Sequence, residues 1–136
     1  MRSFAFAAVV CMTLVVASAV IPTERKEKSD KLRAECREEQ HVTVEDLEIL
    51  KTKEYGLQYP EKVQCYLKCV GEKYGLYEDG KLVDAKVETE LRADLVDNPT
   101  RAQELIEHYG HCKGETGATA CETAAKVYNC IITHKH

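Results

Sequence analysis

The residues of this sequence whose types and spacing could do chemistry are its cysteines, and Cys65 and Cys69 in the stretch CYLKC are the most suggestive pair. Residues four apart share one face of a helix, so both sulfurs would point toward the same neighbouring layer. Two such thiols could bind a metal ion, form a reactive redox pair, or join the helix to two other segments through disulfides. The compartment of the protein decides among these, because disulfides persist where conditions are oxidising.

The first nineteen residues have the pattern of a secretory signal peptide. Arg2 precedes a continuous apolar stretch that ends in the small-residue sequence ASA at 17–19, which is the pattern of a cleavage site. The stretch is short for a membrane span and lacks a stop-transfer flank. We therefore predict a signal peptide over 1–19, a single mature domain over 20–136, and a secreted, extracellular product without membrane insertion.

Cys11 leaves with the predicted signal peptide, and six cysteines remain in the mature chain. An even number of cysteines in an exported domain favours three disulfides, for which arithmetic alone allows 15 pairings. A metal site or a redox pair is the less favoured interpretation of CYLKC in such a compartment. The six residues are Cys36, Cys65, Cys69, Cys112, Cys121 and Cys130.

Charge and composition exclude several classes of function. The formal net charge is −4, and Lys and Arg are interspersed with Asp and Glu, so no basic stripe is available for a nucleic-acid backbone. Disulfides use all the mature cysteines, Ser29 is the sole serine after the signal peptide, and no pair of carboxylates stands in a recognisable catalytic frame. We therefore predict a protein that is not an enzyme, binds no nucleic acid and needs no metal or cofactor.

Helical signals dominate the mature chain, and the alternation typical of strands is almost absent. The sequence predicts six helices: a polar one over about 24–39, a short one after Thr43 with Asp46 in an approximate capping box, one that begins at Pro60 and carries Cys65 and Cys69, one capped by Asp84, one opened by Asn98 and Pro99, and a last one over about 118–133.

The last predicted helix carries two cysteines on opposite faces. Cys121 and Cys130 are nine residues apart, and at about 100° per residue their side chains point in opposite directions. Apolar residues cover much of the circumference of this helix. We therefore expect it to be central and joined to neighbours on both sides.

The complete cysteine spacing is Cys36-x28-Cys65-x3-Cys69-x42-Cys112-x8-Cys121-x8-Cys130. Together with the predicted signal peptide, the helical pattern and the size, it resembles the insect odorant-binding protein family, which comprises pheromone and general-odorant carriers. The resemblance extends over essentially the whole mature chain. The discriminating feature is the combination of the short spacings x3 and x8 with the long spacings x28 and x42. This combination is more specific than a count of six cysteines.

The resemblance implies an all-α fold, a single domain of six helices stapled by disulfides around an apolar cavity. It also implies that the cysteines pair first to third, second to fifth and fourth to sixth. On this chain the disulfides would be Cys36–Cys69, Cys65–Cys121 and Cys112–Cys130. CYLKC would then join its helix both to the first helix and to the last.

The function that the resemblance implies is transport of small hydrophobic ligands, such as odorants or pheromones, through aqueous extracellular fluid. A small apolar ligand is the expected partner, with a membrane receptor or a second copy of the chain as further candidates. One alternative is a non-olfactory carrier of haemolymph, saliva or reproductive secretion. Another is a disulfide-stapled helical effector that acts through its surface and has a filled core.

The candidate ligand-binding residues follow from helical periodicity, and each of them could instead belong to ordinary core between helices. Tyr109 and Tyr128 could also offer a hydroxyl to a polar group of the ligand, or to the backbone. The candidates are Leu67, Val70, Val87, Leu91, Leu95, Leu105, Tyr109, Tyr128 and Ile131.

Histidines and loops suggest how a ligand could be released. His108 and His111 are candidate pH sensors, because histidine changes charge between about pH 5 and 8, although exposed histidines without a function are the simpler interpretation. Their spacing does not favour a metal site. Only six residues follow Cys130, so we do not expect a C-terminal plug, and the glycine-containing loops 76–82 and 113–117 are the candidate gates.

Overall fold

The structure is a computed structural model that describes residues 23–133. The predicted signal peptide lies outside the described residues. The chain divides into two compact units, Met1–Lys31 and Leu32–His136. In the first unit the described residues are helical, and Lys26 and Asp30 form an exposed ion pair with 3.8 Å between Nζ and Oδ2.

The described residues form six helices and one short hairpin. We number the α-helices α1 to α5 and the strands β1 and β2. In chain order the elements are α1 (23–39), a 3₁₀ helix (Asp46–Lys51), α2 (Glu61–Lys73), β1 (Tyr77–Glu78), β2 (Lys81–Leu82), α3 (Asp84–Asp94), α4 (Pro99–Cys112) and α5 (Ala120–Thr133). The all-α prediction is confirmed, and the candidate gate 76–82 contains an antiparallel hairpin with Asp79 and Gly80 in its turn.

Local capping explains where several helices begin. The Asn98 side chain accepts a hydrogen bond of 3.1 Å from the Arg101 amide, and Pro99 fills the first helical position. The predicted capping box before the 3₁₀ helix is present, since Thr43 Oγ1 accepts from the Asp46 amide and Asp46 Oδ2 accepts from the Thr43 amide. These bonds satisfy amides that a helix start leaves without partners.

The prediction for Asp84 was wrong in one respect. Asp84 is the first residue of α3 rather than its cap, and the preceding Val83 has extended backbone angles and no capping side chain. The Asp84 carboxylate instead accepts hydrogen bonds from Tyr109 and Lys113 at the far end of α4. A long-range contact has therefore replaced the local one that the sequence suggested.

Three disulfides connect the helices of Leu32–His136. Cys36–Cys69 joins α1 to α2, Cys65–Cys121 joins α2 to α5, and Cys112–Cys130 joins α4 to α5. This is the pairing that the family resemblance implies. Among the five α-helices, α3 carries no cysteine.

The apolar core lies on both sides of α5. Ala125 packs against Val63 of α2 and against Tyr59 in the loop before α2. Val127 packs against Val87 of α3 and Tyr109 of α4. A third cluster surrounds the Cys36–Cys69 disulfide with Val42 and Tyr66. The central position expected for α5 follows from this arrangement, because its residues take part in two of the three clusters.

A buried amide of α5 holds the loop before α2. Asn129 is 4% exposed; its Nδ2 donates to the carbonyl of Glu54 (2.9 Å) and to the hydroxyl of Tyr59 (3.1 Å). Its Oδ1 accepts from the amide of Gly56 at 2.8 Å. Gly56 has a φ of +79°, a conformation that side chains rarely adopt, so this loop needs both the glycine and the amide that binds it.

Replacement Asn129→Ala should destabilise the protein by about 2 to 3 kcal/mol, because it leaves the buried Tyr59 hydroxyl and two part-buried backbone groups without their hydrogen-bond partner. Urea denaturation of the oxidised protein measures the loss. The matched control is Asn98→Ala, which removes an exposed capping amide and should lower the free energy of unfolding by about 1 kcal/mol. Equal losses in the two variants would contradict the structural role assigned to Asn129.

Candidate functional site

The candidate binding site is an apolar cavity of about 490 Å³ within Leu32–His136, a size usual for ligand sites. Helices α2, α3 and α5, the hairpin and the 3₁₀ helix supply most of its wall. Aliphatic and tyrosine side chains dominate: Leu50, Tyr66, Leu67, Val70, Tyr74, Leu76, Tyr77, Leu82, Val87, Leu91, Tyr128 and Ile131, with Gly71 and Ala124 between them.

Six of the nine predicted ligand-binding residues lie on this wall. They are Leu67, Val70, Val87, Leu91, Tyr128 and Ile131. The apolar stripes of three helices thus meet at one space, with two of these residues from each of α2, α3 and α5. Whether these side chains touch a ligand stays a prediction.

Leu95, Leu105 and Tyr109 are not part of the lining of this cavity, so the structure does not bring them together with the other six. Leu95 follows the end of α3, where the backbone leaves helical geometry with φ −114° and ψ 37°. The buried face of α4 is formed by residues that include Ile106, and Leu105 lies next to this face rather than on it. Tyr109 is buried behind the wall against Val87 and Val127, and its hydroxyl is bound to Asp84.

Sequence reasoning missed several residues of the wall. Tyr66 and Tyr74 continue the stripe of Leu67 and Val70 on α2, so the 3.6-residue period could have identified them. Leu76, Tyr77 and Leu82 belong to a hairpin whose strands contain only two residues each. No alternation can be recognised over so short a length.

Three charged residues stand at the edge of the cavity. Arg33 comes from α1, and Glu90 and Asp94 come from successive turns of α3. Arg33 is exposed and close enough to Tyr128 for its charge to oppose the rise in the pKa of that hydroxyl. In a mainly apolar site, a small number of polar groups usually fixes the orientation of the ligand.

The hydroxyls of Tyr77 and Tyr128, both on the wall, are neutral at physiological pH because the pKa of each is raised. Burial raises the pKa of Tyr128, and the neighbouring Tyr59 and Tyr66 add to the effect. Burial also raises the pKa of Tyr77, with a further contribution from the charge of Glu72. Both side chains can therefore donate and accept hydrogen bonds inside the cavity without carrying charge.

Asp84 fixes the end of α3 that borders the hairpin. Its Oδ2 accepts from Lys113 Nζ at 2.9 Å, and its Oδ1 accepts from the Tyr109 hydroxyl at 2.9 Å. The Lys113 contact, followed by the Tyr109 contact, lowers the pKa of Asp84 below its ordinary value. Burial, followed by the Asp84 carboxylate, raises the pKa of Tyr109.

Replacement Lys113→Gln or Tyr109→Phe should raise the pKa of Asp84 toward its ordinary value of about 3.9. Because the folded pKa lies below the unfolded one, these contacts add stability above about pH 3.9, and the gain disappears as the pH falls through the folded pKa. Carbon-13 NMR titration of the carboxyl group measures the change. Lys81→Gln, on the hairpin, is the control that should leave the Asp84 pKa unaltered.

The two candidate histidines lie away from the cavity wall, whereas the two candidate gates differ. His108 is half-buried and His111 exposed on α4. Of the two candidate gates, loop 76–82 contributes to the wall, whereas loop 113–117 contributes Glu115 to a second cavity. That cavity, of about 340 Å³, faces another side of α5 and is lined mainly by polar groups such as Gln64 and Lys126.

Within residues 23–133, no group of three or more His, Cys, Asp or Glu side chains is arranged to hold a metal ion. None of the helices over the same residues is long and apolar enough to cross a membrane.

Comparison with known proteins identifies the family. The sequence model of the PBP/GOBP family matches residues 18–134, which includes every residue of the cavity wall. The chain belongs to the PBP/GOBP family. The resemblance to insect odorant-binding proteins is thereby confirmed, and the three disulfides fit the six-cysteine pattern of these proteins.

Relatives and a solved structure agree with this assignment. The chain is similar to general odorant-binding protein 56a of Drosophila melanogaster, at 30% identity over 91% of this chain and 86% of the relative. It is also similar to general odorant-binding protein 99a of that species, at 30% identity over 90% and 85% of the two chains. Among solved structures it resembles the fatty acid binding protein OBP56a from the oral disk of the blowfly Phormia regina, with a TM-score of 0.57 and 28% identity over 79% of this chain and 88% of that one.

Membership of this family defines the general activity. The PBP/GOBP protein described here is a carrier of small hydrophobic ligands and not an enzyme. The effector with a filled core is not favoured, since the family consists of binding proteins and α2, α3 and α5 line an apolar cavity.

Proposed function

We propose that this protein is a secreted carrier of amphipathic aliphatic molecules, with long-chain fatty acids as the foremost class. The observation that carries the proposal is an apolar cavity of about 490 Å³ with an arginine at its edge. The solved relative described as a fatty acid binding protein supports the choice of class. Secretion is supported by the pattern of residues 1–19 and by the family.

The proposed contacts of the aliphatic chain are the six predicted side chains of the wall, joined by Tyr66, Tyr74, Leu76, Tyr77 and Leu82. Burial of a methylene is worth about 0.8 kcal/mol, so about ten methylenes would contribute about 8 kcal/mol. Association itself costs about 4 kcal/mol or more. Micromolar affinity, about −8 kcal/mol, therefore requires a chain of more than ten carbons or additional polar contacts.

The proposed contact of the carboxylate is Arg33. A guanidinium group can bind both oxygens of a carboxylate in a planar, charge-assisted pair. Glu90 and Asp94, at the same edge of the cavity, would repel a carboxylate placed beside α3. The acid group is therefore expected on the α1 side of the opening.

Titration of the oxidised mature protein with an apolar fluorescent probe tests the carrier function. Saturable binding, followed by displacement with straight-chain acids and alcohols of increasing length, is the expected result. Circular dichroism and a thiol assay establish beforehand that the protein is helical and fully oxidised. Failure of such a protein to bind the probe or any member of the series would refute the carrier proposal and favour the surface effector.

Replacement Arg33→Gln should weaken binding of a long-chain acid about two- to fivefold, the range of an exposed ion pair, and leave binding of the matching alcohol unchanged. Competition against the fluorescent probe measures both affinities. Arg37→Gln is the matched control, since Arg37 lies one turn further along α1 and outside the cavity wall. The headgroup assignment would be wrong if acid and alcohol lost affinity equally in Arg33→Gln.

The pH dependence of release, the macromolecular partner and the tissue are also proposals. Release of ligand on acidification through His108 and His111 would appear as weaker binding near pH 5 than near pH 7, an effect absent when both are replaced by asparagine. A membrane receptor and a second copy of the chain are the candidate partners, and binding of each to the ligand-loaded protein would be tested. Tissue expression separates an olfactory carrier from one of haemolymph, saliva or reproductive secretion.

A further inference from the structure

Tyr77 stands between two spaces in the described part of the protein. On one side is the apolar cavity of about 490 Å³. On the other is a groove of about 380 Å³ that is lined by Lys68 and Glu72 of α2, Gly80 of the hairpin, and Ala120 and Thr123 of α5. Tyr77 is the residue common to both linings.

The hairpin holds Tyr77 in a fixed register. Tyr77 pairs with Leu82, and Glu78 pairs with Lys81, so two residues form the turn. Both residues of the turn have positive φ, +51° at Asp79 and +76° at Gly80, as a tight hairpin of the right twist requires. Tyr77 and Leu82 face the same side as a directly opposed pair, and both line the cavity.

The Tyr77 ring packs against α2 at Gly71. A Cβ atom added at Gly71 would lie 2.6 Å from Cε2 of Tyr77, closer than two carbon atoms approach without displacement. Glycine inside a helix lowers helix stability relative to alanine. The ring therefore lies directly against the backbone of α2 at a position where any other residue would push it away.

We propose that the Tyr77 ring, seated on Gly71, is the partition that closes the apolar cavity at this end and sets the longest aliphatic chain that the protein accepts. The inference rests on the proposed carrier function. Beyond the partition, the Lys68 and Glu72 side chains form an ion pair. A chain that passed Tyr77 would leave the cavity wall and enter the groove that this ion pair borders.

The surroundings of the hydroxyl agree with a position at the boundary. Burial raises the pKa of Tyr77, and the charge of Glu72 raises it further. The ring thus contacts the apolar side, while its hydroxyl is close enough to a residue of the groove to respond to its charge. This placement is the one expected of a partition with a dry face and a wet edge.

The chain-length dependence of affinity tests the partition. In the wild type, affinity for straight-chain acids should rise about fourfold per methylene while each finds room, and then level off. In Tyr77→Ala the rise should continue to longer acids, because the cavity and the groove become one space. Competition against an apolar fluorescent probe measures the series.

Tyr74→Ala is the matched control. Tyr74 lines the apolar cavity and not the groove, so its removal enlarges the cavity without opening this end. Affinity should change for acids of every length, while the chain length at which affinity levels off stays no longer than in the wild type. The proposal is overturned if Tyr77→Ala levels off at the wild-type length, or if Tyr74→Ala extends the series equally.

Gly71→Ala provides a second variant that keeps the tyrosine. Alanine has the higher helix propensity, so this variant should fold even if Tyr77→Ala does not, and it should displace the ring and extend the accepted chain length. Combining it with Tyr77→Ala should add little, since both changes remove one contact. A wild-type profile in Gly71→Ala would overturn the assigned role of Gly71 in the partition.

The two levels of inference fail in different ways. Absence of binding by the oxidised wild type would refute the carrier function and the partition with it. Binding by the wild type with an unchanged length profile in the Tyr77 and Gly71 variants would refute the partition alone.

Discussion

The disulfide between Cys65 and Cys121 is the constraint on which the rest of the structure depends, because it joins α2 to α5, which pack more extensively than any other pair among helices α2 to α5. One turn away on α2, Cys69 binds Cys36 of α1. Further along α5, Cys130 binds Cys112 of α4. Together the three disulfides link α1, α2, α4 and α5, and each contributes about 3 to 4 kcal/mol of stability.

The helices were largely predictable because their signals are local. Pro60, Asn98 and Pro99 act within one turn of where they stand, and so does the Thr43 and Asp46 capping box. The disulfide pairing followed from the family resemblance, because cysteine arithmetic by itself leaves the pairing open. The short hairpin escaped prediction, since two-residue strands show no period.

The site was predictable only in part, because a cavity wall and a filled core present the same apolar stripe to sequence analysis. Leu91 and Leu105 stand at equivalent points of their helical patterns, yet only Leu91 reaches the cavity. Polar residues that act over long distances left no signal either. Asn129 reaches a carbonyl 75 positions away in the sequence, and Asp84 binds α4 where a local cap was expected.

Helix α3 differs from the other α-helices in having no covalent link to its neighbours. Hydrogen bonds hold it to α4: Asp84 at its start binds Tyr109 and Lys113, and Arg92 near its end binds Gln103. A wall held in this way opens at far lower free energy than one closed by disulfides. The residence time of a bound molecule should therefore depend on how often α3 detaches, and a reducing agent would alter it only through the stability of the whole fold.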